Sequence, residues 1–185
     1  LPASGCFRAD GWISPNINGY EFINRGIHAQ TSVQTVQRFK YHVNSLKPNI
    51  VIIQVGVKDL KTIPLFPERR ASIVANCRGN IKQIVDESKN LNATVILTTI
   101  FPVGEAPIQR QPFWSDDIRL TVEEVNDYIA TLAEDKIIIF DSFSILADSQ
   151  RMMLQKYASD ELHLNKQGYE ILNKELVELL DKIKT

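Results

Sequence analysis

The sequence predicts a three-layer α/β fold built on a parallel sheet of about five strands. Short apolar, β-branched runs alternate four or five times with stretches of helical periodicity, the order expected of strands joined by crossover helices. One run, Ile50-Val51-Ile52-Ile53-Gln54-Val55, is nearly continuous and ends in Gly56, which suits a strand buried on both faces of a parallel sheet. The size agrees: 185 residues, 44% hydrophobic and 23% charged, bury an ordinary core and suit one domain over residues 1–185 better than two.

Taken in order, Gly5 to Trp12 reads as a strand end turning into a loop. Tyr20-Glu21-Phe22-Ile23-Asn24 alternates and is aromatic-rich, as a strand should be, before Gly26 breaks it. Thr31 to Leu46 places Val33, Val36, Phe39 and Val43 at helical spacing, with Thr31 or Ser32 as N-cap and Lys47-Pro48 as the stop. After the Ile50 run and a loop through Pro64 and Pro67, Arg69 to Asn90 aligns Ile73, Val74, Cys77, Ile81, Ile84 and Val85 on one helical face. Cys77 is thereby read as a packed core thiol. Ala93 to Thr99 is the next strand, Asp117 to Leu132 the next helix, Lys136 to Phe140 a further strand and Asn165 to Ile183 the closing helix. In such sheets the site lies just beyond the carboxyl ends of the strands. Cys6, Gly26 with His28, and Gly56 with Lys58 all follow predicted strands.

Lys and Arg total 21 against 22 Asp and Glu, a net charge of -1, which gives no electrostatic case for a nucleic acid or an anionic membrane. A small organic substrate suits this balance better. Two distant cysteines, Cys6 and Cys77, imply free thiols rather than a disulfide or a zinc knuckle. Three dispersed histidines make no metal site, and no phosphate-binding loop or dinucleotide fingerprint is present, so no cofactor is implied. No run approaches the roughly 18 apolar residues of a membrane span, and no charged-then-apolar leader opens the chain. The chain begins at Leu1 rather than Met, so an upstream segment is expected to have been removed or left out, and localisation and oligomeric state stay open.

Near the C-terminus stands Ser159-Asp160-Glu161-Leu162-His163-Leu164-Asn165-Lys166-Gln167-Gly168-Tyr169, an Asp three residues before a His and then an amphipathic helix. An imidazole that is to take a proton needs a partner fixing its tautomer and direction, and Asp160 can do this for His163. With the following Asn and Gly-Tyr, the stretch resembles the last signature block of the SGNH, or GDSL, hydrolases. That resemblance implies a flavodoxin-like three-layer fold, ester hydrolysis, Asp160 as orienting acid and His163 as base.

The other three blocks of that family can be read along the chain. Gly11-Trp12 sets the register of the first block at Gly5-Cys6-Phe7, so the position of the family's serine nucleophile holds Phe7, with Cys6 one residue earlier. The second reads Asn24-Arg25-Gly26-Ile27-His28-Ala29, keeping Gly26, whose N–H the resemblance assigns to the oxyanion, with His28 and Ala29 at later glycine-like positions. The third reads Gly56-Val57-Lys58-Asp59, with Lys58 where the family has an oxyanion-binding Asn. Scaffold positions persist while chemistry-bearing ones change. That combination suits a natural pseudoenzyme or a rebuilt site, and the clustering of Cys, His and Lys favours the second.

In a rebuilt site Cys6 is the candidate nucleophile, since a thiol needs less activation than a hydroxyl, although only about 3% is thiolate at neutral pH without a base. His28 or His163 would be that base, Gly26 and Lys58 the oxyanion donors, and Phe7 an apolar wall for an aryl ester. Ser4 takes the role of nucleophile if the register shifts by three. Alternatively, Lys58 is a Schiff-base lysine for a carbonyl substrate, or the chain is a catalytically inactive SGNH domain that binds a ligand or partner; the plain reading of Lys58 itself is an ion pair with Asp59 or a solvated loop position.

Overall fold

Three of the predicted runs pair as a parallel ladder in the computed structural model, which describes residues 19–183. They are β1 (Ile50–Ile53), β2 (Thr94–Thr98) and β3 (Ile137–Phe140), hydrogen-bonded in that spatial order with Ile52 opposite Ile96 and Ile96 opposite Ile138. The first-block residues Ser4, Cys6, Phe7 and Trp12, and the strand end predicted there, lie outside the described residues.

The long helices fall where periodicity places them. α1 (Ser32–His42) starts after Thr31, whose N–H donates to Gln34 Oε1 at 2.9 Å, the reach-back half of a capping box. α2 (Val57–Leu60) is a single turn after β1. α3 (Arg70–Asn90) returns to β2, and α4 (Asp116–Ala130), with Asp116 and Asp117 complementing its dipole, returns to β3. α5 (Ser142–Leu146), too short to show a period in sequence, and α6 (Lys166–Ile183) complete the described chain.

Period-2 alternation in the strands divides the apolar side chains between two cores, and this makes the fold three-layered. Ile53, Val95, Leu97 and Ile137 pack with Phe39, Cys77, Ile81 and Val125, on the side of α1, α3 and α4. Ile96 and Phe140 point the other way, onto Leu146 of α5 and Leu172, Leu176 and Leu180 of α6. The i, i+4, i+8 leucines of α6 are fully buried, so truncating one to Ala costs about 2–5 kcal/mol.

Two sequence expectations are corrected. The Ile50 run is a strand only to Ile53 and is half-buried rather than covered on both faces, because β1 is an edge strand among the described residues. Tyr20 to Asn24 alternates between half-buried and exposed, as a strand would, yet belongs to no ladder among the described residues. Tyr20 instead anchors it by donating its hydroxyl to the Leu180 carbonyl of α6 at 3.1 Å. The three described strands are fewer than the five or so expected; the parallel α/β architecture stands.

Candidate active site

At the carboxyl end of β1 the chain turns sharply at Gly56, where φ is +124° and an added Cβ would lie 2.6 Å from Ile100 Cδ1. Only glycine accepts both the angle and the contact. This turn launches α2 and carries Lys58 into the cleft. The neighbouring Asp59 carboxylate accepts from the Ser32 N–H at 2.9 Å and from the Ser32 hydroxyl at 2.8 Å, and Asn80 donates to the same hydroxyl at 2.9 Å. Asp59 thus occupies the N-terminus of α1 and ties the Lys58 turn to it. Burial pushes the Asp59 carboxyl upward, against the hydrogen bonds from Ser32 that favour its charge.

The loop before α6 builds the acid–imidazole pair. Asp160 Oδ1 and Oδ2 lie 2.9 and 2.8 Å from His163 Nδ1, while Oδ1 also accepts the N–H groups of Leu162 and His163, each at 2.8 Å. Burial acts to raise the Asp160 carboxyl, but these donors outweigh it and hold the group below its ordinary value. A carboxylate at Nδ1 keeps the proton there and leaves the Nε2 lone pair facing the cleft. Asn165 fixes the loop by accepting the Gly168 N–H at 3.0 Å and donating to the Lys156 carbonyl at 2.8 Å. A Cβ on Gly168 would lie 2.9 Å from the Tyr157 carbonyl oxygen. The Asn and Gly of this stretch therefore have steric and capping reasons.

Lys58 Nζ approaches His163 Nε2 to 3.4 Å, and the ring of His28 lies 5.6 Å from that of His163 at a 37° tilt. Burial first, then the electrostatic influence of Lys58, His163 and Lys61, lower the His28 pKa. Gly26, His28, Lys58, Phe101, Pro102 and His163 line one cleft at the strand ends. The Gly26 N–H donates to Asn24 Oδ1 at 2.8 Å, so an oxyanion would compete with that bond. Ala29, next to His28, holds a left-handed φ of +63°. Cys77 lies in the core under the Gly56 turn, fully buried, with its thiol pushed up to about 12 by burial and then by Asp59.

The family profile of the GDSL-like lipases/acylhydrolases matches residues 7–171. The chain belongs to that family. Among solved structures, a GDSL-like lipase from Bacteroides thetaiotaomicron is 26% identical with a TM-score of 0.71, covering 87% of this chain and 76% of its own. A lipolytic protein of the G-D-S-L family from Desulfitobacterium hafniense is 23% identical (TM-score 0.67, 86% and 81% covered), and an acetylxylan esterase from Geobacillus stearothermophilus is 22% identical (TM-score 0.68, 84% and 70% covered). At these identities the last two resemblances are of fold. No curated protein matches the sequence significantly.

In this GDSL-like chain the fold brings together five sequence-selected residues, Gly26, His28, Lys58, Asp160 and His163, from three separated segments. Cys6 and Phe7 lie outside the described residues. Sequence reading passed over Phe101, the aromatic residue at the exit of β2. It also passed over Asn126, which clamps that exit: its side-chain amide donates to the Ile100 carbonyl at 2.9 Å and accepts the Ile100 N–H at 2.7 Å. An amide among the buried, mostly apolar positions of α4 was the available signal. Glu161, buried between the two residues of the acid–imidazole pair, forms an ion pair with Arg110 that ties the segment Ile108–Phe113 to the site loop. No cluster of three metal-ligating side chains occurs among the described residues, and no described helix is long and apolar enough to cross a membrane.

Proposed function

We propose that this GDSL-like protein hydrolyses a small-molecule carboxylic ester, aryl esters included, with His163 as general base oriented by Asp160 and with Cys6 as nucleophile. The observation that carries the reading is the Asp160–His163 pair, with two short carboxylate contacts on Nδ1 and Nε2 turned to the cleft. Family membership supports ester chemistry, and the acetylxylan esterase among the fold relatives performs it. On this reading the altered positions form a working site.

In the reaction, His163 Nε2 takes the Cys6 proton as sulfur adds to the ester carbonyl, and the electron pair moves onto the carbonyl oxygen. That oxyanion meets Lys58, whose ammonium is a stronger donor than a neutral amide. Collapse breaks the C–O bond, and the leaving alkoxide takes the proton from His163. Water, deprotonated by the same imidazole, then cleaves the acyl-thioester and returns the thiolate. His28, whose ring faces that of His163, is the second candidate base.

The contact between Lys58 Nζ and His163 Nε2 favours one further reading, in which the amine attacks a carbonyl and His163 accepts its proton. Incubation with a chromogenic aryl ester, mass mapping of the acyl adduct, and borohydride trapping with an aldehyde separate the two. Acylation at Cys6 that disappears in Cys6→Ser supports the thiol, whereas an adduct on Ser4 moves the nucleophile there. Trapping at Lys58 supports the amine. No adduct at all, together with ligand binding, leaves a binding domain.

A further inference from the structure

Inside the loop that carries the acid–imidazole pair sits a second carboxylate. Only 2% of the Glu161 side chain is exposed, and it forms an ion pair with Arg110, whose own side chain is 57% exposed. A carboxylate taken that far out of water needs a partner. The loop around it is closed by its own hydrogen bonds. Asp160 Oδ1 accepts the N–H groups of Leu162 and His163, each at 2.8 Å, and the Ser159 N–H donates to the His163 carbonyl at 2.8 Å. Glu161 joins this closed turn to the segment that follows β2. Its carbonyl accepts the Gly104 N–H at 2.9 Å, and a Cβ on Gly104 would lie 3.4 Å from the Glu161 Cα, so the two backbones pack directly. Further along the same segment, Arg110 meets its carboxylate.

We propose that the Arg110–Glu161 ion pair positions the base: by fixing the residue that follows Asp160, it keeps the Asp160 carboxylate aligned on His163 Nδ1. Both act through the loop and not on substrate, which makes them positioning residues. The effect on rate rests on the ester-hydrolase reading above, whereas the effect on the imidazole does not. Removing Arg110 strands the Glu161 carboxylate in the interior. It regains water only by turning the loop, and the N–H groups of Leu162 and His163 then move off Asp160. A catalytic constellation tolerates displacement of only about 0.5 Å.

The test reads His163 directly. Long-range proton–nitrogen NMR reports which ring nitrogen carries the proton, and in the parent chain the neutral imidazole should be mainly the Nδ1–H form that Asp160 sets. Arg110→Met should give a mixture of tautomers, and Arg110→Lys, which keeps the charge, should retain most of the parent form. The double variant Arg110→Met, Glu161→Gln strands no charge, so it keeps the comparison open even if Arg110→Met does not fold, and it should show the mixture too. On an aryl ester, Arg110→Met should lose about ten- to a hundredfold in kcat with KM within about twofold. A loss of overall stability alone would leave the tautomer of the folded chain unchanged, so a parent-like tautomer in either variant lacking Arg110 overturns the proposal. If the parent turns over no ester, the hydrolase reading fails by itself, and the tautomer populations still decide this one.

Discussion

Lys58 Nζ lies 3.4 Å from His163 Nε2, the ring nitrogen turned away from Asp160. On the proposed ester-hydrolase reading, an ammonium so placed both guards the base and stands where negative charge would develop on a carbonyl attacked beside it. Lys58→Met is therefore expected to lower kcat on an aryl ester by about 10²–10³-fold with KM little changed, the signature of an interaction made in the transition state. Steady-state kinetics check this, and a rise in KM alone would count against it.

The acid–imidazole pair makes a second prediction. His163→Ala should reduce ester turnover by about 10²–10⁴-fold, and Asp160→Asn should reach a similar loss, because an amide no longer fixes the Nδ1 proton. Circular dichroism should show both variants folded.

Asp160 also links stability to pH. Its folded-state carboxyl lies below the ordinary value, so the stabilisation it contributes is fully present above the unfolded pKa of about 3.9 and is lost as pH falls through the lower folded value. Urea titrations across the acid range should show Asp160→Asn losing less stability on acidification than the parent.

Two left-handed positions predict opposite effects. Gly56→Ala places a methyl group against Ile100 at an unfavourable φ and should destabilise by about 1–3 kcal/mol. Ala29→Gly relieves a φ of +63° and should stabilise by about 0.5–1 kcal/mol after the added freedom of the unfolded chain is counted. Chemical denaturation of the two variants tests both signs.

The Asp59 clamp and the thiol beneath it give the last pair. Asp59→Ala leaves the Ser32 N–H at the start of α1 without its acceptor and should cost about 1–3 kcal/mol, whereas Asp59→Asn keeps an acceptor and should cost less. Cys77, fully buried and with its thiol pushed up to about 12, should resist iodoacetamide in the folded protein and react once urea exposes it. Labelling of Cys77 under native conditions would contradict that burial.

The sequence alone determined the parallel α/β arrangement, the long helices with their apolar faces, and four of the residues that meet in the cleft, Gly26, His28, Lys58 and His163. Local periodicity encodes burial, and the spacing from Asp160 to His163 lets a single loop bring the two together. Where β1 ends, the absence of a ladder partner for Tyr20–Asn24 among the described residues, the engagement of the Gly26 N–H by Asn24 and the turn of Asp59 toward Ser32 were decided only by tertiary structure. So was the approach of Lys58 to His163, 105 residues away. Ladder partners and long-range hydrogen bonds depend on which groups the folded chain sets side by side, and one-dimensional spacing carries no record of that.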